Sequence, residues 1–241
     1  TDTKTFEGKI TGIIGHKGEE GLDILEVLCA MKIPQEFSSE TIAEAETFSE
    51  KLTDSDLQNR EDYRNEITYT IDGDDSKDLD DAIHVKKLSN GHFELGVHIA
   101  DVSHYVTEGS SLDEEAYSRA TSVYVTDRVV PMLPVRLSNN LCSLNEAQER
   151  LTMSCLMEID DKGKIVSYKI SPSVIKTTYR MTYNNVNKMI HQGQEGHREA
   201  LENFSKITDS IKVAVELHEI LETMRKDRGM IEFDEREAKI F

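Results

Sequence analysis

The 241 residues include no tryptophan, four prolines and three cysteines, and aromatics make up only 6%. Cys29, Cys142 and Cys155 are odd in number and lack the spacing of a zinc site. That excludes a disulfide scaffold and reads as reduced thiols in a cytoplasmic protein. No apolar run approaches the roughly 20 residues that cross a bilayer, and no basic-then-apolar leader opens the chain, so no membrane partner is expected. Positive charge is scarce as well: 28 Lys and Arg face 46 Asp and Glu, for a net charge of −18. A protein that coats nucleic acid normally shows a basic footprint, because phosphate contacts supply much of its affinity. The balance excludes that class and leaves room for an enzyme whose acidic residues hold metal. Hydrophobic residues, at 37%, suffice for one large domain or one and a half.

What the chain has in excess is concentrated in residues 70–84. Asp72, Asp74, Asp75, Asp78, Asp80 and Asp81 are six aspartates within ten positions. Two carboxylates about 5 Å apart repel by roughly 3 kcal/mol at an effective dielectric near 20. Such a cluster splays into water, protonates in part, or captures a divalent cation. A solvated acidic loop is the ordinary reading of an acidic run. Here Ile71, Leu79, Ala82 and Ile83 anchor the loop in a core, and Gly73 permits a sharp turn directly after Asp72. Asp78 and Asp80, two apart on an extended chain, share a side beside Asp81. An all-carboxylate set suits Mg²⁺ or Mn²⁺ and fits zinc poorly. An EF-hand fails by register. Counted from Asp72, Lys77 and Ile83 stand where Gly and Glu are needed; counted from Asp74, the residues are Leu79 and Val85.

Around this loop the pattern predicts strands and helices. Residues 6–16 read as a strand, Lys17–Gly21 as a turn, and Asp23–Ile33 as a helix that Pro34 ends. Residues 36–66 read as acidic helices or a linker, with a start at Ser39 and a thin stripe of Ile42, Ala45 and Phe48. Asp81–Leu88 and Phe93–Ala100 form a hairpin about Asn90-Gly91. Asp101, just past it, either joins the aspartates or caps the next turn. His84, His98 and His104 read as hydrogen-bonded structural groups without a catalytic role. Ser110–Ala120 is a helix, Thr121–Val125 a β-run and Pro131–Asn145 a loop with Arg136 as its cation. Leu151–Ile159 and Lys164–Lys176 form a second hairpin, Tyr179, Met181 and Tyr183 alternate as in a strand, and residues 190–203 are polar and interrupted by glycine. Phe204–Arg228 is a long amphipathic helix with Gly229 as its stop. The class this implies is α+β, a mixed or antiparallel sheet with packed helices.

The run Ile71-Asp72-Gly73 followed by Asp78-Leu79-Asp80-Asp81-Ala82 resembles the catalytic motif of the RNB family of exoribonucleases. Ile99-Ala100-Asp101-Val102-Ser103-His104-Tyr105-Val106, Thr121-Ser122-Val123-Tyr124, Val130-Pro131-Met132-Leu133-Pro134, Leu137-Ser138-Asn139 and Leu141-Cys142-Ser143-Leu144-Asn145 match in order, in wording closest to the ribonuclease R branch. The likeness covers roughly residues 66–241. It implies a cold-shock remnant of OB type at 1–35, a helical linker at 36–66 and the N-terminal part of an RNB domain, truncated, at 67–241.

It further implies hydrolysis of single-stranded RNA from the 3′ end to 5′-nucleoside monophosphates, with Mg²⁺ or Mn²⁺ and no small-molecule cofactor. Asp72, Asp78, Asp80 and Asp81 would hold metal, and Asp80 would be the catalytic carboxylate. Asp74 and Asp75 face solvent. Tyr124, which would otherwise be core packing, and Tyr183 would meet the bound strand, with Phe233 a further candidate. The family's arginine in a Ser-Pro-Ile-Arg-Arg-like segment and a later glutamate are absent from residues 1–241, which leaves hydrolysis by this stretch alone open. The alternative from another class is a non-catalytic acidic module that binds divalent metal or a protein.

Overall fold

The computed structural model describes residues 8–231. The strand expected over residues 6–16 is not formed in its described part: residues 8–16 are irregular, with Ile10 86% and Ile13 79% exposed. A β-run without a neighbour leaves its backbone donors and acceptors unpaired and does not persist alone. Helix α1 (Leu22–Ala30) then forms and ends ahead of Pro34. Helix α2 (Ser39–Thr47) is capped by the Ser38 side chain, which accepts from the Thr41 N–H, one residue earlier than the sequence indicates. The short α3 (Asp54–Leu57) carries a capping box made by Thr53 and Asp56.

The sheet begins with β1 (Glu61–Asp62), β2 (Tyr69–Asp72), β3 (Asp81–Lys87) and β4 (Phe93–Ala100). Gly91, at φ +88°, makes the turn between the last two possible, as Asn-Gly predicts. Helix α4 (Ser111–Arg119), capped by Ser110, leads into the small ribbon of β5 (Val123–Tyr124) and β6 (Val129–Val130). A π-helical turn over Leu137–Leu141 interrupts the expected loop. Long strands β7 (Glu149–Ile159) and β8 (Ile165–Lys176) form the second hairpin, and β9 (Tyr179–Thr182) completes the sheet. Tyr183 does not continue that strand, because the Thr182 side chain caps a helix, α5 (Tyr183–Ile190). Helices α6 (His197–Asn203) and α7 (Thr208–Asp227) follow, with Gly229 at φ +94° beyond the end of α7.

The strand order is β1-β8-β7-β4-β3-β2-β9, antiparallel except for the two outer pairs β1–β8 and β2–β9. The expected α+β architecture, a mixed sheet with packed helices, is what forms. Side chains alternate across it. Asp81, Ile99, Met153 and Pro172 form one row on one face, and His84, His98, Ser154 and Ser173 lie on the other.

One core joins Leu79, Leu112, Leu137, Leu144 and Ile175, all completely buried. A second joins Tyr69, Met181 and Ile207 beneath α5 and α6, with Ile71 packed against it. A third lies under α7, where Leu217 meets Val85, Phe93 and Ile159. Burying each such side chain contributes about 1.5–3 kcal/mol. The acidic stretch runs from the second core to the first, so both of its ends are fastened.

Candidate active site

The loop between β2 and β3 is held by backbone hydrogen bonds at nearly every step. Ser76 N–H donates to the Gly73 carbonyl (3.3 Å), closing the turn that the glycine foreshadows. Leu79 is fully buried, its N–H donates to Ser143 Oγ (3.1 Å), and that hydroxyl donates to the Lys77 carbonyl (2.8 Å). Leu144 N–H and Ala100 N–H donate to the Leu79 and Asp80 carbonyls, both at 2.9 Å. With Leu79 turned inward, Asp78 and Asp80 face outward together, as their spacing requires.

The register that sets Tyr69 opposite Ile83 brings Asp72 and Asp81 to the same end of the strand pair. Asp72 and Asp78 are half-buried, and Asp80 and Asp81 are exposed. Partial burial, then the charge of Asp81, pushes the Asp72 carboxyl above its ordinary pKa, with Asp80 and Asp78 adding to the push and Arg180 opposing it. Asp80 keeps access to water at its tip, yet the surrounding loop strips part of its hydration, and that desolvation, then Asp78 and Asp81, pushes its pKa up likewise. Four carboxylates therefore repel one another in a backbone frame that does not let them separate.

Among the described residues, no three His, Cys, Asp or Glu side chains stand arranged to hold an ion unaided. Mg²⁺ does not need such a cage: it takes one or two carboxylates, keeps several waters and shares substrate phosphate oxygens. The donors present are hard oxygens that burden one another with charge, and in that respect the set fits Mg²⁺ or Mn²⁺.

Two exposed tyrosines stand at this mouth. Tyr124, 66% exposed, donates from its hydroxyl to Asp78 Oδ2 (2.9 Å). Tyr183, 62% exposed, directly follows Thr182, the strand partner of Asp72. Asp74 accepts from Asn184 Nδ2 (2.5 Å), and Asp75 is exposed. Phe233 lies outside the described residues. The cavity of about 250 Å³ among α5, α6 and α7 is lined by Met189, His197, Leu201 and Ile211, and none of the aspartates reaches it.

Asp101 stands at the N-cap of the turn Val102–His104, where its carbonyl accepts from the His104 N–H (3.2 Å), but its carboxylate makes no cap bond to that turn's backbone. It is buried, it pairs with Arg60 Nη2 (2.6 Å), and Ser103 Oγ donates to it (2.6 Å). Burial raises its pKa, but Ser103 and Arg60 outweigh that and hold it below the ordinary range. His84 Nδ1 and His98 Nε2 are 2.9 Å apart, and His98 Nδ1 reaches Ser154 Oγ at 2.6 Å, which makes both histidines structural as expected. Burial and then His84 push His98 down to about 3. Arg136 does not serve the aspartates: it donates to the Ala45 and Phe48 carbonyls.

Sequence reasoning missed Arg180, whose Nη2 donates to the carbonyls of Asp74 (3.0 Å) and Ser76 (2.7 Å). It also missed Ser143, although that serine lies inside one of the matching runs. The only advance signal for Arg180 was its place inside the alternating run, between Tyr179 and Met181.

The chain belongs to the RNB domain family: that family's model matches residues 60–241, and a cold shock domain model matches residues 1–38. Ribonuclease R 2 of Lactococcus lactis is 96% identical over 240 residues, an alignment that covers 100% of this chain and 36% of the relative. Ribonuclease R of Mycoplasma genitalium, solved in complex with ribose-methylated single-stranded RNA, superposes with a TM-score of 0.82 at 33% identity, over 94% of this chain and 34% of that one. The same protein solved with double-stranded RNA gives 0.80 at 33% identity, over 91% and 38%. The chain thus spans about a third of the length of the relatives it matches.

Proposed function

We propose that these residues form the metal- and RNA-end-binding part of a hydrolytic exoribonuclease that shortens single-stranded RNA from its 3′ end to 5′-nucleoside monophosphates. The observation that carries the reading is the pairing of core-fastened, mutually repelling aspartates with two exposed tyrosines at one open mouth. Support comes also from relatives named ribonuclease R, one of them solved with RNA.

Asp72, Asp78, Asp80 and Asp81 would hold Mg²⁺ or Mn²⁺, with no small-molecule cofactor. When bound, the ion supplies a nucleophilic hydroxide at neutral pH and neutralises charge on the phosphoryl oxygens. Asp80, crowded by Asp78 and Asp81, is the carboxylate whose loss stops hydrolysis while RNA binding persists. Tyr124 and Tyr183 stack on bases, which contributes about 1–3 kcal/mol per base without reading sequence. Contacts to the 2′-hydroxyl discriminate RNA from DNA. The division at 1–35, 36–66 and 67–241 belongs to the same proposal. So does a cytoplasmic location, which rests on three free thiols and on the finding that no described helix is long and apolar enough to cross a membrane.

The test is a 5′-labelled oligoribonucleotide incubated with Mg²⁺ and the protein extended past Phe241. Stepwise shortening that Asp80→Asn abolishes is expected. The absence of a ready-made cage among the described residues and the charge of −18 favour a second reading, a non-catalytic acidic metal-binding or protein-binding module. Metal binding with no shortening would establish that reading instead.

A further inference from the structure

Arg180 stands on the edge strand β9, opposite Thr70 and two residues before Thr182, the strand partner of Asp72. Its main-chain N–H donates to Glu146 Oε2 (3.0 Å), which fixes the backbone from which the side chain reaches out. The guanidinium then does something unusual for a cation beside aspartates. It forms no ion pair among the described residues and gives both Nη2 bonds to main-chain carbonyls, those of Asp74 and Ser76. Its Nε is buried and has no partner. A buried donor left unsatisfied costs about 1–3 kcal/mol, so this placement is not the one that best satisfies the arginine itself.

The outcome for the loop is specific. The two carbonyls belong to the turn that separates Asp72 from Asp78, and the carboxylate oxygens of both remain free of the guanidinium. Asn184 completes the brace by taking the Asp74 carboxylate away from the mouth. The charge of Arg180 also opposes the push that the other aspartates exert on Asp72.

We propose that Arg180 is the positioning residue of this site, bracing the turn at residues 73–76 through its carbonyls so that Asp72 and Asp78 converge on one divalent ion with their oxygens left free of the guanidinium. The inference rests on the metal-binding reading above, but its first readout does not. Lysine keeps the charge and loses the planar fork that spans two carbonyls, whereas glutamine loses the charge as well. If bracing is the role, both substitutions act in the same direction. If charge alone is the role, Lys behaves as Arg does, and Gln tightens metal binding by removing a repelling cation.

The experiment uses the 241-residue chain and its Arg180→Lys and Arg180→Gln variants. Amide hydrogen exchange at Ser76, measured without metal, is expected to speed up about tenfold or more in both variants, while amides of β7 and β8 keep their protection and report an intact fold. Mn²⁺ titrated calorimetrically is expected to bind both variants roughly 10–100-fold more weakly, the usual effect of losing a group that orients ligands. Unchanged exchange at Ser76 overturns the inference, as does a Gln variant that binds Mn²⁺ more tightly while Lys matches the parent. A parent chain that binds no Mn²⁺ refutes the metal reading, and exchange at Ser76 still decides whether Arg180 braces the turn.

Discussion

Two regions of the molecule use polar side chains to opposite ends. In the interior beside the central strands, Arg60, Asp101, His84, His98, Thr152, Ser154 and Ser173 are almost wholly buried and joined partner to partner. His98 meets Ser154, Ser154 meets Ser173, and Arg60 donates to the Thr152 and Ser173 carbonyls as well as to Asp101. At the mouth, Asp72, Asp78, Asp80 and Asp81 hold their positions as firmly, yet no lysine or arginine pairs with them among the described residues. A satisfied polar network rigidifies a fold. Charges held together without partners destabilise it, and such strain in a rigid frame marks a site awaiting a ligand.

Substitutions should separate the two regions. The largest effect is expected at the mouth: Asp80→Asn should slow RNA shortening roughly a thousandfold or more, several kcal/mol of barrier. Its melting temperature should be unchanged or higher, since the change removes a repelling charge. A clear fall in melting temperature would erase the contrast.

Asp101→Asn is expected to do the reverse, costing about 3–5 kcal/mol in denaturant unfolding because Arg60 is left buried and uncompensated. Ser143→Ala removes a partner from the buried Leu79 N–H and frees the Lys77 carbonyl, for a loss of about 1–3 kcal/mol together with weaker Mn²⁺ binding. Equal metal affinity in that variant would show that the serine splints the core and not the site.

A further effect concerns pH. His98 is neutral in the fold down to about pH 3, whereas the unfolded chain binds its proton below about pH 6.5. In that window the unfolded state holds more protons, so stability falls as pH falls, by up to about 1.4 kcal/mol per unit. Thermal melts between pH 6.5 and 4.5 should show this decline, and His98→Gln should flatten it.

Much of this architecture was legible beforehand. Period-two runs about Asn90-Gly91 announced the first hairpin, and the amphipathic run over Phe204–Arg228 announced the long helix. Leu79 between two aspartates announced that they face outward. The strand over residues 6–16 misled because isoleucine and glycine spacing reports what a segment could pair with, not whether a partner strand is there. Tyr183 read as strand because alternation cannot register that Thr182 would cap a helix. Asp101 was placed at the start of its turn, but the fate of its carboxylate was hidden because its partner, Arg60, lies 41 residues away in the chain.

The amino-acid order by itself determined the inventory of this protein: the crowd of carboxylates, the apolar residues that bracket it, the turns, and the family to which the motif belongs. Local preference and spacing act within a few residues of one another, and for that reason they can be read directly. Only the tertiary structure decided which charges are satisfied and which are left bare. It brought Ser143 and Arg180 to the loop from 64 and 104 residues away, and it paired Asp101 with Arg60. A carboxylate's energy depends on what lies within a few ångströms of it, and those neighbours come from the packing of the sheet.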